Sequence, residues 1–338
     1  VKLGRAMGLR AVTSWLPDTV ESAAQALADG RITAQDAEAN GYRQLPVSAG
    51  IAPPEMAVLA ATDALKRSSV DAVDLVIHAW TYYQGHDFWS PAHYIANEIG
   101  AYDAMPFGIQ QMCNGAGIAL EIAAARLLAD PAAGSALVTT ADRFAEPGFD
   151  RWRGDYGLWY GDGATAAVLA RDAEPTDDLH LLAIASTAVP WVESMHRGRD
   201  EFSLAPRGVV DIRRTKKAFL EEQGKDAFAA VVAERLPALI RTALDEAGVT
   251  DPELVALPRL GRAALDAAYA PAVGGVPTLD LGRDTGHLGA GDLLANLAAL
   301  VDSGALAPGR TAVALSAGGG FSWSCAVVRR PTQERLSE

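Results

Sequence analysis

Cys113 carries the most evident chemistry in this sequence. It stands in Gln110-Gln111-Met112-Cys113-Asn114-Gly115-Ala116-Gly117, after an extended segment over 105–111 and before the helically spaced run IALEIAAARLL. The pattern sets a thiol where a strand gives way to a helix. Unpaired N–H groups of a first helical turn favour the thiolate, which is the nucleophilic form. A free cysteine is often only a small buried hydrophobe, so this stretch alone leaves both readings open. Gly115 and Gly117 would let the helix pack closely and leave room for a substrate beside the sulfur.

An internal repeat supplies a partner for the thiol. "HLGAGDLLANLAALVDSGALAPGRTAVALSAGGG" from His287 overlies "CNGAGIALEIAAARLLADPAAGSALVTTAD" from Cys113, with Gly-Ala-Gly, apolar helix, turn and strand in the same order. His287 therefore takes the place of Cys113 in the second copy. Two such helices packed about a pseudo-twofold axis bring their starts to one point, where an imidazole can take the proton of a thiol and later that of an incoming acceptor. Asp292 opens the apolar segment DLLANLAAL, where a charge is costly unless paired. Its natural partner is the imidazole, giving a Cys/His/Asp arrangement; an aspartate there also suits an N-terminal cap. Gly318-Gly319-Gly320, at the end of TAVALSA, exposes backbone that suits an oxyanion hole shared with the Cys113 N–H, although three glycines also make a tight turn. Gly161-Asp162-Gly163 lacks the Lys-Ser/Thr ending of a phosphate loop and reads as a structural turn. Cys325, within FSWSCAVV, reads as an inert buried thiol.

The elements that position these residues alternate between helix and strand. Pro53 and Pro54 open a helix over 55–67, followed by the buried-strand run VDLVIHA, and the same unit recurs as a helix over 227–247 before the segment Pro252-Glu253-Leu254-Val255-Ala256-Leu257. One acidic, alanine-rich helical segment is expected over 19–40. Polar residues 171–178, with Pro175, mark the join between an N-terminal half, 1–172, and a C-terminal half, 173–338. The chain has 338 residues, 49% of them hydrophobic, enough for two such halves with a sizeable core. A formal charge of −13 argues against nucleic-acid binding. No leader-like or membrane-spanning run is evident, so a cytoplasmic protein is expected. Two widely separated cysteines give neither a disulfide framework nor a metal-binding spacing.

The cysteine-led helix at Cys113, "GDGATAAVLAR" from Gly161 and the ending "GGGFSWSCAVVR" from Gly318 together resemble the type III β-ketoacyl synthase family of the thiolase superfamily, across nearly the whole chain. The resemblance implies a thiolase-like α/β fold of five αβαβα layers, a homodimer, an acyl group carried as a thioester on Cys113, and an oxyanion hole from Cys113 and Gly319. Condensing members use Cys/His/Asn. Here "LPRLGRA" puts Arg259 where that His would be, and "TGHLGAGD" puts His287 where the Asn would be. A guanidinium stays protonated and cannot replace a neutral imidazole. Cys113, His287 and Asp292 instead resemble the Cys/His/Asp set of ketosynthase-like acyltransferases from polyketide and glycosylated natural-product pathways. The expected activity is acyl transfer from a carrier-protein or coenzyme A thioester to a hydroxyl, such as that of a sugar, or to a second carrier thiol. A condensing enzyme and a non-catalytic carrier-binding subunit are the competing expectations.

No permanently bound cofactor or metal is expected; the donor's phosphopantetheine or coenzyme A arrives as substrate. His86 and His93 lack a third metal ligand at suitable spacing. By the family pattern Trp80, Tyr82, Phe88 and Trp89 lie near the acyl pocket or the dimer interface, with Arg259 a further pocket candidate. Arg197, Arg199, Arg207, Arg213, Arg214, Lys216 and Lys217 form the one basic stretch of an acidic chain. Such a stretch would attract an acidic carrier protein or the phosphates of coenzyme A.

Overall fold

A computed structural model describes residues 1–206 and 208–332. Ten strands form one continuous sheet: β1 (Met7–Trp15), β2 (Leu75–Ala79), β3 (Met105–Ile109), β4 (Ser135–Asp142), β5 (Gly163–Ala170), β6 (Leu179–Ala188), β7 (Leu254–Ala256), β8 (Thr278–Leu279), β9 (Thr311–Gly318) and β10 (Ser322–Arg329). Their order is β8-β7-β9-β10-β6-β1-β5-β4-β2-β3. Reading outward from the centre, each half repeats the other with a shift of five in strand number. The halves meet where β1 pairs with β6 antiparallel, Met7 opposite Leu181 and Leu9 opposite Leu179.

Four helices complete the repeat: α1 (Pro53–Ser68), α2 (Gly115–Ala129), α3 (Lys225–Ala247) and α4 (Asp292–Asp302). Prolines pre-set the first turn of α1, and the Glu55 carboxylate accepts the Ala52 N–H at 2.7 Å. Met56, Ala57, Ala60, Ala61 and Ala64 bury one face of α1 against the first half-sheet. On the other side, α3 packs Val232, Leu236, Leu239 and Ala243 against the second. Between them α2 and α4 each touch strands of both halves, and their core draws residues from both. The layers are therefore α1, half-sheet, α2 with α4, half-sheet and α3, the expected five-layered α/β architecture.

A helix with apolar residues all round must be buried, and α2 is one. By length and apolarity Met112–Ala129 would suit a membrane span, a property the sequence reading missed; the structure makes it the central layer of the core. Residues 171–178 are no free linker. Arg171 donates to the carbonyls of Leu127 and Pro131, both at 2.9 Å, and Arg10 pairs with Asp177.

Three local expectations needed correction. The single helix over 19–40 is two short ones, Ala23–Ala28 and Ala34–Asn40, because Gly30 turns the chain at φ +69° and Thr33 caps a new start. Strand β6 and the helix Ile212–Gln223 went unrecognised. The strand before Cys113 ends at Ile109, and the helix after it begins at Gly115, so the thiol occupies the turn between them.

Candidate active site

That turn is tight. Met112 has φ +49°, a left-handed conformation uncommon for a side chain of its kind and typical of functional sites. Asn114 N–H donates to the Gln111 carbonyl at 3.2 Å and Gly115 N–H to that of Met112 at 3.0 Å. The Asn114 side chain reaches Ser322 at 3.1 Å, tying the turn to β10. A Cβ at Gly117 would lie 2.5 Å from Ser324, so this glycine serves close packing of α2 on the second half.

His287 comes to the same place from the other half. In both copies the chemical residue stands two positions before a Gly-Ala-Gly that forms the first helical turn, continuous with α2 in one and a short 3-10 turn leading into α4 in the other. The His287 N–H donates to the Trp159 carbonyl at 2.9 Å, and Gly161 N–H donates back to His287 at 3.1 Å. Imidazole Nδ1 is 2.7 Å from Asp292 Oδ2, with both residues buried. Asp292 also accepts the N–H groups of Leu288 and Arg259, each at 2.9 Å. Its carboxylate thus turns back on His287 instead of capping α4, whose N-cap is Gly291.

Charges follow this geometry. Burial opposes protonation of His287, but the Asp292 carboxylate and the neighbouring Cys113 side chain outweigh it, and the imidazole holds its proton well above its ordinary range. Burial would raise Asp292, yet the imidazolium, Arg259 and the Leu288 N–H hold it below the usual carboxylate value. No geometric hydrogen bond fixes His287 Nε2 among the described residues; the side chain it faces is Cys113, which also favours the proton on the ring. With Nδ1 tied to a carboxylate, Nε2 is the nitrogen left to exchange a proton.

Gly319 follows β9, just beyond the ladder that closes at Gly318–Ser322. A Cβ there would lie 2.4–2.7 Å from three ring atoms of His196, so the imidazole of His196 rests on the glycine loop. Gly318 packs against the backbone N of Asn114, which joins this loop to the Cys113 turn.

The pocket expectations separate. Arg259 is buried; its Nε donates to Asn296 Oδ1 at 2.9 Å and its Nη1 to Thr285 Oγ1 at 2.7 Å. It braces α4 and Asp292 from behind and does not line an open pocket. Trp80 stacks on His78 and packs on Gly108. Tyr82 packs on Phe144 and Phe149. Phe88 is fully exposed and Trp89 is 40% exposed, so neither lines a pocket within this chain. His86 meets Trp89 edge-on and His93 Nδ1 lies 2.8 Å from Ser90 Oγ. No group of three His, Cys, Asp or Glu able to hold a metal occurs among the described residues. Burial pushes the Cys325 thiol up to about 12, which suits an inert side chain.

The basic stretch is largely neutralised. Arg197 pairs with Glu193, Arg199 with Glu222, Arg214 with Asp200, and Arg213 reaches Asp36 at 3.6 Å. Lys216 is half-buried, 2.6 Å from the fully buried Asp155 carboxylate. Lys217 is exposed, and Arg207 lies outside the described residues. A single carrier-docking patch of seven cations is therefore not what the fold presents. Lys216→Met should cost roughly 1–3 kcal/mol of stability, because Asp155 loses its cation but keeps the Tyr160 hydroxyl and the Tyr156 N–H, read by urea unfolding. A loss below about 1 kcal/mol would mean that the pair is solvated.

Several residues near the thiol went unnoticed in the sequence. Tyr160 stands edge-on to His287 at 5.1 Å, and its hydroxyl donates to Asp155. Asp142 accepts backbone N–H groups from Thr81, Tyr82 and Ala290, joining the two halves; burial nevertheless pushes it up to about 7. Asp162, in the Gly-Asp-Gly turn, is held by both terminal nitrogens of Arg151 at 3.0 and 3.1 Å, a structural role. Asp162 alone had been singled out in the sequence, as part of a structural turn, and Tyr160 carried the signal of its place beside that turn.

With this geometry in hand, comparison with known proteins is informative. Residues 107–187 match the family described as 3-oxoacyl-[acyl-carrier-protein (ACP)] synthase III, and 277–330 match its C-terminal part. The β-ketoacyl-[acyl-carrier-protein] synthase III of Sodalis glossinidius (strain morsitans) is 30% identical over 264 residues, 77% of this chain and 78% of that protein. Among solved structures, ChlB3, named an acyltransferase, is 35% identical with a TM-score of 0.89, covering 97% of this chain and 98% of its own. The 3-oxoacyl-(acyl carrier protein) synthase III FabH of Pseudomonas aeruginosa PAO1 shares the fold at 22% identity and TM-score 0.78, covering 97% and 99%.

Proposed function

The chain belongs to the 3-oxoacyl-[acyl-carrier-protein] synthase III family, and from that premise we propose that it is an acyltransferase working through an acyl-Cys113 thioester, without decarboxylative condensation. The observation that carries this reading is the Asp292–His287 pair at 2.7 Å, with Nε2 facing the thiol and a buried arginine where condensing members place a histidine. The donor is a carrier-protein or coenzyme A thioester. The acceptor is a hydroxyl of a sugar or natural-product scaffold.

In this scheme the resting site holds an imidazolium and a thiolate. The Cys113 sulfur attacks the donor carbonyl, and the N–H groups of Cys113 and Gly319 receive the developing oxyanion. Collapse breaks the carbon–sulfur bond to the donor, whose thiolate leaves with the His287 proton. Loss of the Cys113 charge removes one support of the imidazolium, so His287 stays neutral, held in one tautomer by Asp292. It then takes the acceptor's hydroxyl proton at Nε2 as the oxygen attacks acyl-Cys113. Collapse of the second intermediate restores thiolate and imidazolium, and the cycle closes with no net proton change.

Arg259 bears on condensation. Its guanidinium stays charged and is spent on Asn296 and Thr285, so it supplies no neutral imidazole to an enolate. The names of the curated relatives favour the condensing alternative. A malonyl thioester separates the two. Acyl transfer predicts a malonyl ester of the acceptor with no stoichiometric release of carbon dioxide, whereas one carbon dioxide per product would overturn it. We also propose a homodimer built on the edge strand β3. Exposed Met105 lies on that edge and exposed Tyr102 just before it, and both would be covered there.

A further inference from the structure

The Gly-Ala-Gly turns behind Cys113 and His287 meet at Ala290. A Cβ on Gly115 would lie 3.0 Å from the Cβ of Ala290 and 3.0 Å from that of Ala79, so the first turn of α2 has no slack against the turn that follows His287. Cys113 stands two residues before Gly115, and His287 three before Ala290. The place of Ala290 therefore governs the gap between imidazole and thiol.

One carboxylate holds Ala290. Asp142 ends β4 with no exposed surface, and its Oδ2 accepts the Ala290 N–H at 2.9 Å. Its Oδ1 accepts the N–H groups of Thr81 and Tyr82 at 2.9 and 2.8 Å, with Thr81 shared to Oδ2 at 3.1 Å. The carboxylate thus spans the two halves of the chain. A Cβ at Gly289 would lie 2.3 Å from Oδ2, and one at Gly291 2.8 Å from Thr140 Oγ1, so the end of β4 seats the whole turn. The repeat shows that the fold does not itself require this carboxylate. Gly318 ends β9 as Asp142 ends β4, and there a Cβ would lie 2.4 Å from the backbone N of Asn114. Glycine suffices behind the Cys113 turn, whereas the His287 turn hangs from a buried carboxylate, a costly group to place in a core. His287 itself is faced by Asp292 on its own segment, Cys113 from the turn before α2, Tyr160 from the segment paired with it, and the charge of Asp142 from β4.

Resting on the acyl-transfer reading, we propose that Asp142 is the positioning residue that sets the gap between His287 Nε2 and Cys113, acting through the Ala290 N–H and without touching substrate.

Water and hydroxylamine are the probes. Acyl-Cys113 is formed with an acyl-coenzyme A, and its discharge is followed by intact mass across pH. Water needs His287 as a base, whereas hydroxylamine attacks a thioester unaided. In Asp142→Asn the amide oxygen accepts from one half while its NH2 faces the donors of the other, so the seat loses one side. The plateau rate of discharge by water should fall about tenfold or more and the hydroxylamine rate stay within about threefold, since misplacing a catalytic group by an ångström costs up to ~100-fold. Gly115→Ala, which presses Ala290 by a few tenths of an ångström and leaves Asp142 intact, should show the same selective loss at smaller size; it decides the matter if Asp142→Asn fails to fold. His287→Ala gives the full selective loss for comparison. Equal losses with both nucleophiles would mean a structural role only. Losing a negative neighbour makes His287 easier to deprotonate, so a midpoint moved to lower pH with an unchanged plateau would mean that Asp142 acts by charge alone. Either result overturns the proposal, as do wild-type rates in both variants. If His287→Ala discharges to water as the wild type does, or no acyl-enzyme forms, the acyl-transfer reading falls first and this positioning role with it.

Discussion

His287→Ala should slow transfer from acyl-Cys113 to the acceptor by roughly 10²–10⁴-fold, the usual worth of a positioned general base. The effect follows from Nε2 being the nitrogen that faces Cys113 on a ring whose other nitrogen is fixed by Asp292. Discharge of isolated acyl-enzyme in a quenched-flow experiment reads the step directly, and a change within twofold would place the base elsewhere. Asp292→Asn should act in the same direction. An amide can donate to Nδ1, which moves the ring proton to Nε2 and removes the acceptor there. The pair also links stability to pH. Since the folded pKa of His287 is raised, its contribution is full below the ordinary imidazole value and is lost as pH rises through the raised one. Asp292, whose value is lowered, contributes above the ordinary carboxylate pKa and loses that contribution as pH falls through the lowered one. His287→Ala should therefore destabilise the fold most between those limits.

Arg259→Leu should cost roughly 3–5 kcal/mol of stability, in the range for breaking a buried charged network. Leucine leaves Asn296 Oδ1 without its donor and takes a positive neighbour from Asp292. The Arg259 N–H to Asp292 bond survives, since it belongs to the backbone. Urea unfolding of variant and wild type at matched slope gives the difference. A loss under about 1 kcal/mol would mean that the guanidinium is solvated and lines an open pocket, as its sequence position suggested.

Cys113, His287 and Asp292 were legible because the internal repeat encodes their geometry. Strand, turn and helix recur, so residues at matched positions face one another across the axis. The five layers followed from the same repeat and the resemblance it carried. Residues without a repeated counterpart stayed hidden. Tyr160 and Asp155 sit on loops, and His196 on the short helix Ser194–Arg197, all placed by tertiary packing. Lys216 read as part of a basic surface because its partner lies 61 residues earlier. Arg199 and Arg214 misled for a related reason, since their partners Glu222 and Asp200 are distant in sequence, whereas Arg197 pairs with Glu193 at i, i+4, a spacing the sequence offered. Phe88 and Trp89 read, by the family pattern, as near the acyl pocket or the dimer interface; within one chain Phe88 is fully exposed and Trp89 is 40% exposed. Strand β6 was missed because its buried positions alternate only over its first half.

The central claim is that Cys113 carries the acyl group between donor and acceptor. Intact-mass measurement after mixing the protein with acyl thioester donors tests it most directly. An adduct equal to the acyl mass less one hydrogen is expected, located on Cys113, absent from Cys113→Ala and discharged when acceptor is added. An adduct that survives in Cys113→Ala, or product formed by that variant at the wild-type rate, would contradict it.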